Sequence, residues 1–370
     1  MIYRKYRPKN FKDVIGQDII VKILKNFIKN EDKIPQGYLF SGQRGTGKTS
    51  TARIFAKALN CLNIHDNNYE PCDKCINCKN INEGKFLDLI ELDAASNRGI
   101  EEIKNIKENI GFKPIQGKYK IFIIDEAHML TKEAFNALLK TLEEPPKHTI
   151  FILATTEPEK IPQTILSRVQ RFDFKRIPVS LIVEKLKKIA KEENIEITDG
   201  ALYLIAEESD GALRDAETIF EKIILSLNPV KIINEEYVEN FFGKLSYNKI
   251  LDFIEMVVSK DFEKSINFLQ KVYGEGYDVL IFNKSVIKFL REILVIKIFP
   301  QWKLQLNKEF SEEVIKRLES ISQKLNLEDI KKLIKIFIEA EYSIKKDPPF
   351  ILLPLELAVA EIILASSSKN

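Results

Sequence analysis

The residues of this chain best suited to chemistry lie in one glycine-rich run. It reads Gly42-Gln43-Arg44-Gly45-Thr46-Gly47-Lys48-Thr49, with the spacing Gly-x4-Gly-Lys-Thr. Glycines let a loop fold its backbone N–H groups around an anion, and a helix that begins there adds its N-terminal dipole. The lysine of such a loop reaches the β- and γ-phosphates of a nucleotide, and the next hydroxyl binds Mg²⁺. The run therefore predicts a phosphate-binding loop; the alternative is a glycine-rich turn that binds no nucleotide.

The residues on either side give the loop the setting that this chemistry requires. An apolar run of strand type, residues 37–40, precedes the loop, and a helix-forming run, residues 50–59, follows it. The helix is needed because its first N–H groups and its dipole face the bound anion. This setting favours phosphate binding over a plain turn.

Two adjacent acids follow another apolar run. Residues 121–124 are of strand type, and Asp125, Glu126 and His128 follow in the string Asp-Glu-Ala-His. Ligands of open α/β folds bind at the carboxyl edge of the sheet, where Asp125 would hold Mg²⁺ through water. Glu126 would polarise the water that attacks the γ-phosphate. Together with the phosphate loop, the two acids predict hydrolysis, although the same string also occurs in helicases.

Polar residues near two further strands could serve the same reaction. Thr155 and Thr156 end the next predicted strand and could place a hydroxyl near the attacking water, although two threonines are more often only a strand end. Arg168 comes just before the last predicted strand, where its guanidinium cannot easily fold back to its own phosphates. We interpret it as an arginine finger offered to a neighbouring subunit, with a surface arginine as the alternative.

Two other segments are predicted to border the nucleotide. Arg214 stands on the first turn of a predicted lid helix, where it could face the triphosphate and turn hydrolysis into a lid movement. The alternative is an ion pair of Arg214 with Asp215 or Glu217. The basic N-terminal segment could fold back over the base of the nucleotide. Its residues for this role are Arg7, Pro8, Val14 and Ile15.

All four cysteines of the chain fall in one short window. They are spaced C-x10-C-x2-C-x2-C at Cys61, Cys72, Cys75 and Cys78. Four thiolates in one loop match a closed, structural zinc site that takes no part in catalysis. A disulfide pair suits a reducing cytoplasm less well. An iron–sulfur cluster stays open as an alternative, because C-x2-C-x2-C also occurs in ferredoxins, and His65 could replace one ligand.

The hydrophobic pattern predicts the elements that position these residues. Apolar runs of strand type alternate with helical stretches, which is typical of a parallel sheet wound with helices. These runs are residues 37–40, 87–92, 119–124, 149–154 and 171–174. After them come short helices and then long amphipathic helices, which predict a bundle. We expect an α/β plus all-α chain: a nucleotide domain (1–178) with a cysteine insert (61–78), a helical lid (179–242) and a helical bundle (243–370).

Length and composition bound the kind of protein. The chain has 370 residues, of which 30% are charged and 45% hydrophobic, and its formal net charge is +3. This length allows roughly two or three domains, and so small a net charge excludes a strongly basic nucleic-acid arm. No apolar run approaches the roughly 18 residues of a membrane span, and the N-terminus lacks the apolar core of a signal peptide. We therefore expect a cytoplasmic protein with no membrane contact.

Several longer runs form a recognisable set. They are Tyr3 to Gln17, the phosphate loop, the cysteine insert, Glu91 to Glu102, Asp-Glu-Ala-His-Met-Leu, Leu142-Glu-Glu-Pro-Pro146, Ala-Thr-Thr-Glu-Pro and Gly-Ala-Leu-Arg-Asp-Ala-Glu. Together they resemble the gamma/tau subunits of bacterial DNA polymerase III, over residues 1–242 in specific motifs and beyond them only in helical character. The resemblance implies a clamp loader ATPase of the AAA+ class, with ATP, Mg²⁺ and Zn²⁺ as cofactors and the last helices as an oligomerising collar.

The resemblance also implies a role for each motif. The roles are Walker A for Gly42 to Thr49, Walker B for Asp125 and Glu126, sensor 1 for Thr156 with Thr155 beside it, the trans-acting finger for Arg168, sensor 2 for Arg214, zinc ligands for the four cysteines, and adenine contacts for Arg7, Pro8, Val14 and Ile15. One departure shows, because the family's usual Ser-Arg-Cys reads Ser167-Arg168-Val169 here. The guanidinium is kept, and only the packing behind it changes.

The partners that the resemblance implies are the delta and delta-prime subunits, further copies of this chain, the beta sliding clamp and primer–template DNA. ATP would draw the subunits of a pentameric ring into a spiral that grips an opened clamp, and hydrolysis would release the clamp on DNA. Contacts with DNA should go to phosphates, with Arg98 as the candidate. Alternatively, Asn97 and Arg98 could form a latch on Glu126 that DNA releases.

Two other functions stay open from the sequence. A DNA helicase would need a second motor domain or a hexamer, and a single motor followed by a helical bundle argues against the first. A non-hydrolysing scaffold of the delta-prime kind is the other, but the intact Lys48, Thr49, Asp125 and Glu126 argue against it. The chain lacks the long extension of a tau form, so we expect gamma length or a tau fragment.

Overall fold

A computed structural model of the chain describes residues 1–64, 68–96, 110–226, 232–243, 245–306, 310 and 312–364. The chain divides into two compact units. The first unit consists of residues 1–189 and 205–226, and the second of residues 190–204 and 227–370. All described residues with a predicted role in nucleotide or metal binding belong to the first unit.

The first unit is built on a parallel sheet. Its strands are β1 (Gly37–Ser41), β2 (Leu89–Asp93), β3 (Lys120–Asp125), β4 (Thr149–Thr155) and β5 (Gln170–Asp173). Within the described residues they pair in the order β2-β3-β4-β1-β5, each pair parallel. Every residue of β1 and β4 is buried, whereas the edge strands β2 and β5 are partly exposed. Continuous apolar runs form the central strands because helices cover both faces of such a sheet.

Helices and short turns connect the strands of the sheet and follow the last of them. The helices up to residue 226 are α1 (Ile2–Lys5), α2 (Asp18–Lys29), α3 (Lys48–Leu59), α4 (Ile76–Asn82), α5 (Lys132–Glu143), α6 (Gln163–Leu166), α7 (Val179–Glu192), α8 (Asp199–Glu208) and α9 (Leu213–Ser226). In α2, Ile20, Leu24 and Ile28 recur every four residues and are buried, which gives the helix one apolar face. The side chain of Thr131 begins α5 by accepting the N–H of Ala134 at 3.2 Å.

Alternate residues of the strands point to opposite faces of the sheet. Tyr38 of β1 belongs to a buried cluster with Leu24 of α2 and Phe55 of α3, and the rings of Tyr38 and Phe55 are 5.1 Å apart. The next residue, Leu39, belongs to a separate cluster with Leu138 of α5. The sheet is therefore the middle of three layers, and each large apolar side chain buried in this way stabilises the fold by about 1.5–3 kcal/mol.

The second unit is mostly helical. Its later helices are α10 (Glu235–Phe241), α11 (Tyr247–Val258), α12 (Phe262–Gly274), α13 (Val279–Ile298), α14 (Lys303–Leu306), α15 (Glu312–Lys324), α16 (Leu327–Ile344) and α17 (Leu353–Leu364). Phe253 belongs to their buried cluster, with its ring 5.1 Å from that of Phe282 and 6.2 Å from that of Phe337. This unit also contains the parallel strands β6 (Glu196–Ile197) and β7 (Ile232–Ile233).

The predicted fold class is confirmed. The sheet is parallel, and the chain beyond it is largely helical, with element bounds shifted by a few residues. Strands β6 and β7 were not predicted, because two residues are too few for an alternating pattern. The domain bounds at residues 178 and 242 stay a prediction. None of the helices in the described part of the chain is both long and apolar enough to cross a membrane.

Glu217 of α9 is an acid buried inside the first unit. Its side chain is only 5% exposed, and Oε1 has no hydrogen-bond partner among the described residues. Burial raises the pKa of Glu217 to about 8, and the nearby charge of Lys185 opposes that shift only in part. Because the native pKa lies above the ordinary value, the folded chain binds a proton that the unfolded chain releases.

This burial predicts a pH-dependent stability. Glu217 stabilises the fold fully below pH 4.5, and that contribution is lost as the pH rises toward about 8. The free energy of unfolding should fall by up to about 1.4 kcal/mol per pH unit over that window, and Glu217→Gln should remove this slope. Urea denaturation at a series of pH values measures it. Asp215→Asn, at an exposed acid of the same helix, is the control and should keep the slope; equal slopes in wild type and Glu217→Gln would refute the assignment.

Candidate functional site

Glycines shape the loop between β1 and α3. Gly42 has φ 142°, and a Cβ there would lie 2.4 Å from the carbonyl oxygen of Phe174. Gly45 has φ 79°, and a Cβ there would lie 2.9 Å from Cβ of Ala212, just before α9. Side chains are therefore excluded at both positions. The loop leads directly into the N-terminus of α3, which is an arrangement that binds phosphates.

The side chain of Lys48, the first residue of α3, turns back into this loop. Its Nζ donates to the carbonyl oxygens of Gly42 at 2.7 Å and Gln43 at 2.9 Å. Burial lowers the pKa of Lys48, while the carboxylates of Glu126 and Asp125 oppose the shift. A cation held inside a ring of backbone groups is suited to phosphate oxygens.

Thr49 and Asp125 meet although they are 76 positions apart in the chain. The hydroxyl of Thr49 donates to Oδ2 of Asp125 at 2.7 Å. The sheet produces this contact, because β1 pairs with β4 and β4 with β3, so that their carboxyl ends lie at one edge. Hard oxygen ligands of this kind suit Mg²⁺. The two residues predicted to hold the metal are thus brought together.

Glu126 lies at the same edge, in a backbone conformation rare for residues other than glycine. Its φ is 48° and its ψ 43°, in the left-handed region. The hydroxyl of Thr156 donates to Oε2 of Glu126 at 3.3 Å, and Nδ1 of His128 lies 3.6 Å from the same oxygen. Strained backbone of this kind concentrates at functional sites. The predicted catalytic acid and the predicted sensor threonine are therefore in contact.

A cavity of about 760 Å³ opens beside the loop. Glu126 and Thr156 line it together with Arg44, Arg171 and Arg176. Sequence reasoning missed the last two arginines, because neither belongs to a motif. The available signal was their position in the chain. Arg171 lies within β5 and Arg176 follows it, and β5 pairs with β1.

Two predicted nucleotide contacts come from outside the sheet. Nε of Arg7 donates to the hydroxyl of Ser50 in α3 at 3.2 Å, and burial lowers the pKa of Arg7. The guanidinium carbon of Arg214 lies 5.0 Å from the centre of the Tyr3 ring, a cation–π contact. Among the described residues, no ion pair joins Arg214 to an acid, so the alternative expected from the sequence is not seen.

The other residues predicted to enclose the adenine lie on the same N-terminal segment. Val14 is buried in the cluster around Tyr38, and Pro8 and Ile15 are half-buried. The side chain of Gln17 fixes the end of this segment, because its Nε2 donates to the carbonyl of Lys175 at 2.8 Å. Their role toward the base stays a prediction.

Arg168 lies far from its own phosphate loop. It precedes β5 and lies beside Gly37, at the amino edge of the sheet, whereas the loop leaves the carboxyl edge. Its Nη2 is 2.6 Å from Oε1 of Glu143, and its Nη1 donates to the carbonyl of Thr164 at 2.6 Å. The side chain is 32% exposed. This geometry excludes a contact of Arg168 with a nucleotide in its own loop.

The four cysteines converge. Their sulfur atoms all lie within 4.8 Å of one another, and the set is Cys61, Cys72, Cys75 and Cys78. Backbone N–H groups donate to three of the sulfurs at 3.3–3.5 Å. A hydrogen bond from the Cys78 thiol lowers the pKa of Cys61 to about 5. Four soft sulfur donors at this separation fit a tetrahedral metal site, and zinc suits them.

The cysteine cluster is also tied to the phosphate-loop helix. Nζ of the buried Lys57 in α3 pairs with Asp73, which lies between two of the cysteines, and donates to Oδ1 of Asn82 at 2.9 Å. The side chain of Asn77 donates to the carbonyl of Asn60 at 2.9 Å. A metal bound by the cysteines would therefore stabilise the end of α3.

Two residues considered from the sequence lie outside the described part of the chain. They are Arg98, the candidate for DNA phosphates, and His65, the possible replacement ligand. The latch between Asn97, Arg98 and Glu126 lies outside it too.

The fold and the site together define a P-loop nucleotide-binding protein of the AAA+ class. The chain superimposes on solved variants of RuvB from Thermotoga maritima, for example with a TM-score of 0.50 at 20% identity over 68% of this chain and 79% of that chain. At that identity the likeness concerns the fold alone.

Sequence comparisons identify the family. Residues 16–178 match a family described as DNA polymerase III, delta subunit; residues 181–225 match the ATPase lid domain of the DNA polymerase III clamp loader subunit; and residues 233–369 match domain III of subunits gamma and tau. DNA polymerase III subunit gamma of Buchnera aphidicola subsp. Baizongia pistaciae is 40% identical over 89% of this chain and 88% of its own length. The chain belongs to the DNA polymerase III gamma/tau family.

Several relatives are longer than this chain. DNA polymerase III subunit tau of Bacillus subtilis is 40% identical over 93% of this chain but only 60% of its own length. The chain spans about half the length of other curated relatives that it matches.

The cysteine geometry predicts about one tightly bound divalent metal ion per chain, because four thiolates close a site. Cys78→Ala, which removes a buried ligand, should abolish metal binding and lower the melting temperature by several degrees. Metal analysis by mass spectrometry and thermal melts measure both. Lys74→Ala, at an exposed residue of the same loop, is the control and should change neither. Metal retained by Cys78→Ala would contradict the site, and iron with inorganic sulfide would indicate the alternative cluster.

Proposed function

We propose that this chain is an ATPase motor subunit of a bacterial clamp loader, which uses ATP to load a sliding clamp onto primer–template DNA during chromosomal replication. The observation that carries the proposal is the meeting of Lys48, Thr49, Asp125 and Glu126 at the carboxyl edge of the sheet. A non-hydrolysing scaffold would not need this set intact. Membership of the gamma/tau family supports the same assignment.

Each residue of this edge has a task in hydrolysis. The loop N–H groups and Lys48 bind the β- and γ-phosphates. Thr49, and Asp125 through water, would hold Mg²⁺, which would supply positive charge beside the phosphates. Glu126 accepts a proton from the water that attacks the γ-phosphorus, and the bond to the β-phosphate oxygen breaks to give ADP and phosphate. Thr156 orients Glu126 through their 3.3 Å hydrogen bond.

Arg168 acts on the neighbouring subunit. Its position at the amino edge, opposite its own loop, supports a role across an interface. There its guanidinium would stabilise the charge that spreads over the γ-phosphate in the transition state. In one chain Glu143 holds Arg168, and a neighbour's phosphates would compete for the same guanidinium. ATP binding would thereby draw two subunits together.

Arg214 and the N-terminal segment complete the nucleotide site. Arg214 faces the triphosphate as sensor 2, and Arg7, Pro8, Val14 and Ile15 enclose the adenine. The approach of Ala212 to Gly45 supports this, because it brings the start of α9 against the loop. Loss of the γ-phosphate would release Arg214 and let the lid helix move.

The partners of the motor follow from its family. They are delta and delta-prime subunits, further copies of this chain, the beta sliding clamp and DNA bound through its phosphates, with Arg98 as the candidate contact. Zn²⁺ is the metal of the cysteine cluster, where it stabilises the loop after α3 and takes no part in hydrolysis. The assembly works in the cytoplasm.

Turnover shared between subunits gives the sharpest test. Glu126→Gln and Arg168→Ala assemblies with delta and delta-prime should each lose ATP turnover, by about 100-fold or more, while still binding ATP. Mixing the two variants should restore part of the turnover, because some interfaces then combine an intact Glu126 with an intact Arg168. A coupled phosphate-release assay, with and without clamp and primed DNA, measures this.

The control for this test is Lys147→Ala, at an exposed cation before β4 on the same edge as Arg168. It should keep both turnover and its stimulation by clamp and DNA. Turnover that ignores the clamp and survives Arg168→Ala would overturn the proposal, and strand separation without a clamp would indicate a helicase. Tight assembly with no turnover in wild type would indicate a scaffold.

A further inference from the structure

His128 stands at the junction of the two strands that carry the predicted catalytic groups. It lies in the short turn Ala127–Met129, two residues after Glu126 at the end of β3. Its imidazole reaches the residues at the end of β4, and its side chain is only 7% exposed. A histidine so buried does not reach the phosphates itself, yet its ring lies close to Glu126, the predicted catalytic acid.

Both ring nitrogens of His128 are engaged. Nε2 lies 3.1 Å from Oε1 of Glu157, and Nδ1 lies 3.0 Å from the hydroxyl oxygen of Thr155. The same hydroxyl accepts the backbone N–H of Glu157 at 3.0 Å. A carboxylate only accepts hydrogen bonds, so Nε2 carries the proton. Nδ1 and the Thr155 hydroxyl share the second hydrogen bond, so both ring nitrogens are satisfied.

This network reaches the predicted catalytic acid. Nδ1 of His128 is 3.6 Å from Oε2 of Glu126, the oxygen that also accepts the Thr156 hydroxyl at 3.3 Å. The backbone of Glu126 is left-handed, and the turn that follows is closed by the N–H of Met129 on the Glu126 carbonyl at 2.8 Å. A strained residue keeps such a conformation only where its surroundings fix it, and the imidazole is part of those surroundings.

The network also reaches the phosphate loop. The carbonyl of Thr155 accepts the backbone N–H of Gly42, the first glycine of the loop, at 3.2 Å. Thr155 is fully buried and pairs in register with Ser41. Through Thr155, His128 is therefore connected to the loop on one side and to Glu126 on the other.

We propose that His128 is a positioning residue for hydrolysis. Its imidazole fixes the end of β4 through Thr155 and Glu157. It thereby holds the Glu126 carboxylate where that group can take the proton of the attacking water. This inference rests on the proposed function. His128 contributes to the rate of the chemical step and not to nucleotide binding, because its ring contacts none of the residues that hold the phosphates.

Three substitutions at this position test the inference. His128→Ala removes both contacts of the ring, whereas His128→Asn keeps an acceptor near the Nδ1 position and His128→Gln keeps a donor near the Nε2 position. In the full assembly, His128→Ala should lower kcat by about 10- to 100-fold, because a small misplacement of a catalytic group costs that much. Asn and Gln should each recover part of that loss. The Kd for ATP should stay within about twofold of wild type in all three, since binding is left intact.

Glu157→Gln separates a positioning role from a merely structural one. If His128 acts through Glu157, the double variant His128→Ala, Glu157→Gln should lose no more kcat than His128→Ala alone, because the two residues then act as one unit. In ¹⁵N NMR of the histidine ring, wild type should show a protonated Nε2, because Nε2 faces the Glu157 carboxylate. His148→Asn is the matched control: its ring lies 3.4 Å from the carbonyl of Ile110, outside the site, so kcat should stay unchanged.

Three outcomes would overturn the inference. The first is wild-type kcat in His128→Ala. The second is a loss of kcat matched by equal losses of ATP affinity and melting temperature, which would make the histidine only structural. The third is a wild-type assembly that binds ATP but never hydrolyses it. This result would refute the proposed function itself. It differs from the first two because it is observed in the wild-type protein, without any substitution.

Discussion

The hydrogen bond between Thr49 and Asp125 is the contact on which the candidate site depends. Its length of 2.7 Å requires that the end of β3 and the start of α3 lie side by side, although 76 positions separate them in the chain. The parallel order β3-β4-β1 brings these ends to one edge. If the register of β4 shifted by one residue, side chains that now face one helix layer would face the other. The apolar layers on both faces therefore fix the geometry of the polar edge.

The same edge supports the proposal that two chains share one site. Groups that follow the carboxyl ends of β1, β3 and β4 converge on the loop, and α9 reaches it through the contact of Ala212 with Gly45. Arg168 precedes a strand and so belongs to the opposite edge. A parallel sheet cannot present both ends of its strands to one small ligand, so Arg168 does not reach a nucleotide in the loop of its own chain. The proposed role of Arg168 toward a neighbouring chain rests on this strand direction.

Local motifs made most of the site predictable. Gly42 to Thr49 and Asp125 with Glu126 have roles set by spacing and by the strand or helix beside them, and the rule for parallel sheets then predicts their meeting. The contact of Arg214 with Tyr3 and that of His128 with Glu157 were not predictable, because they depend on how segments separated in sequence pack together. Strands β6 and β7 left no pattern to read, since two residues show no period.

A structure of the assembly with Mg²⁺ and a non-hydrolysable ATP analogue would test the central claim most directly. The account predicts β- and γ-phosphate oxygens about 3 Å from Nζ of Lys48, and Mg²⁺ bound by the Thr49 hydroxyl with Asp125 one water away. It also predicts a water beside Glu126 and the guanidinium of a neighbouring Arg168 at the γ-phosphate. A triphosphate bound away from the loop, or an Arg168 that stays on Glu143 at every nucleotide-filled interface, would contradict it.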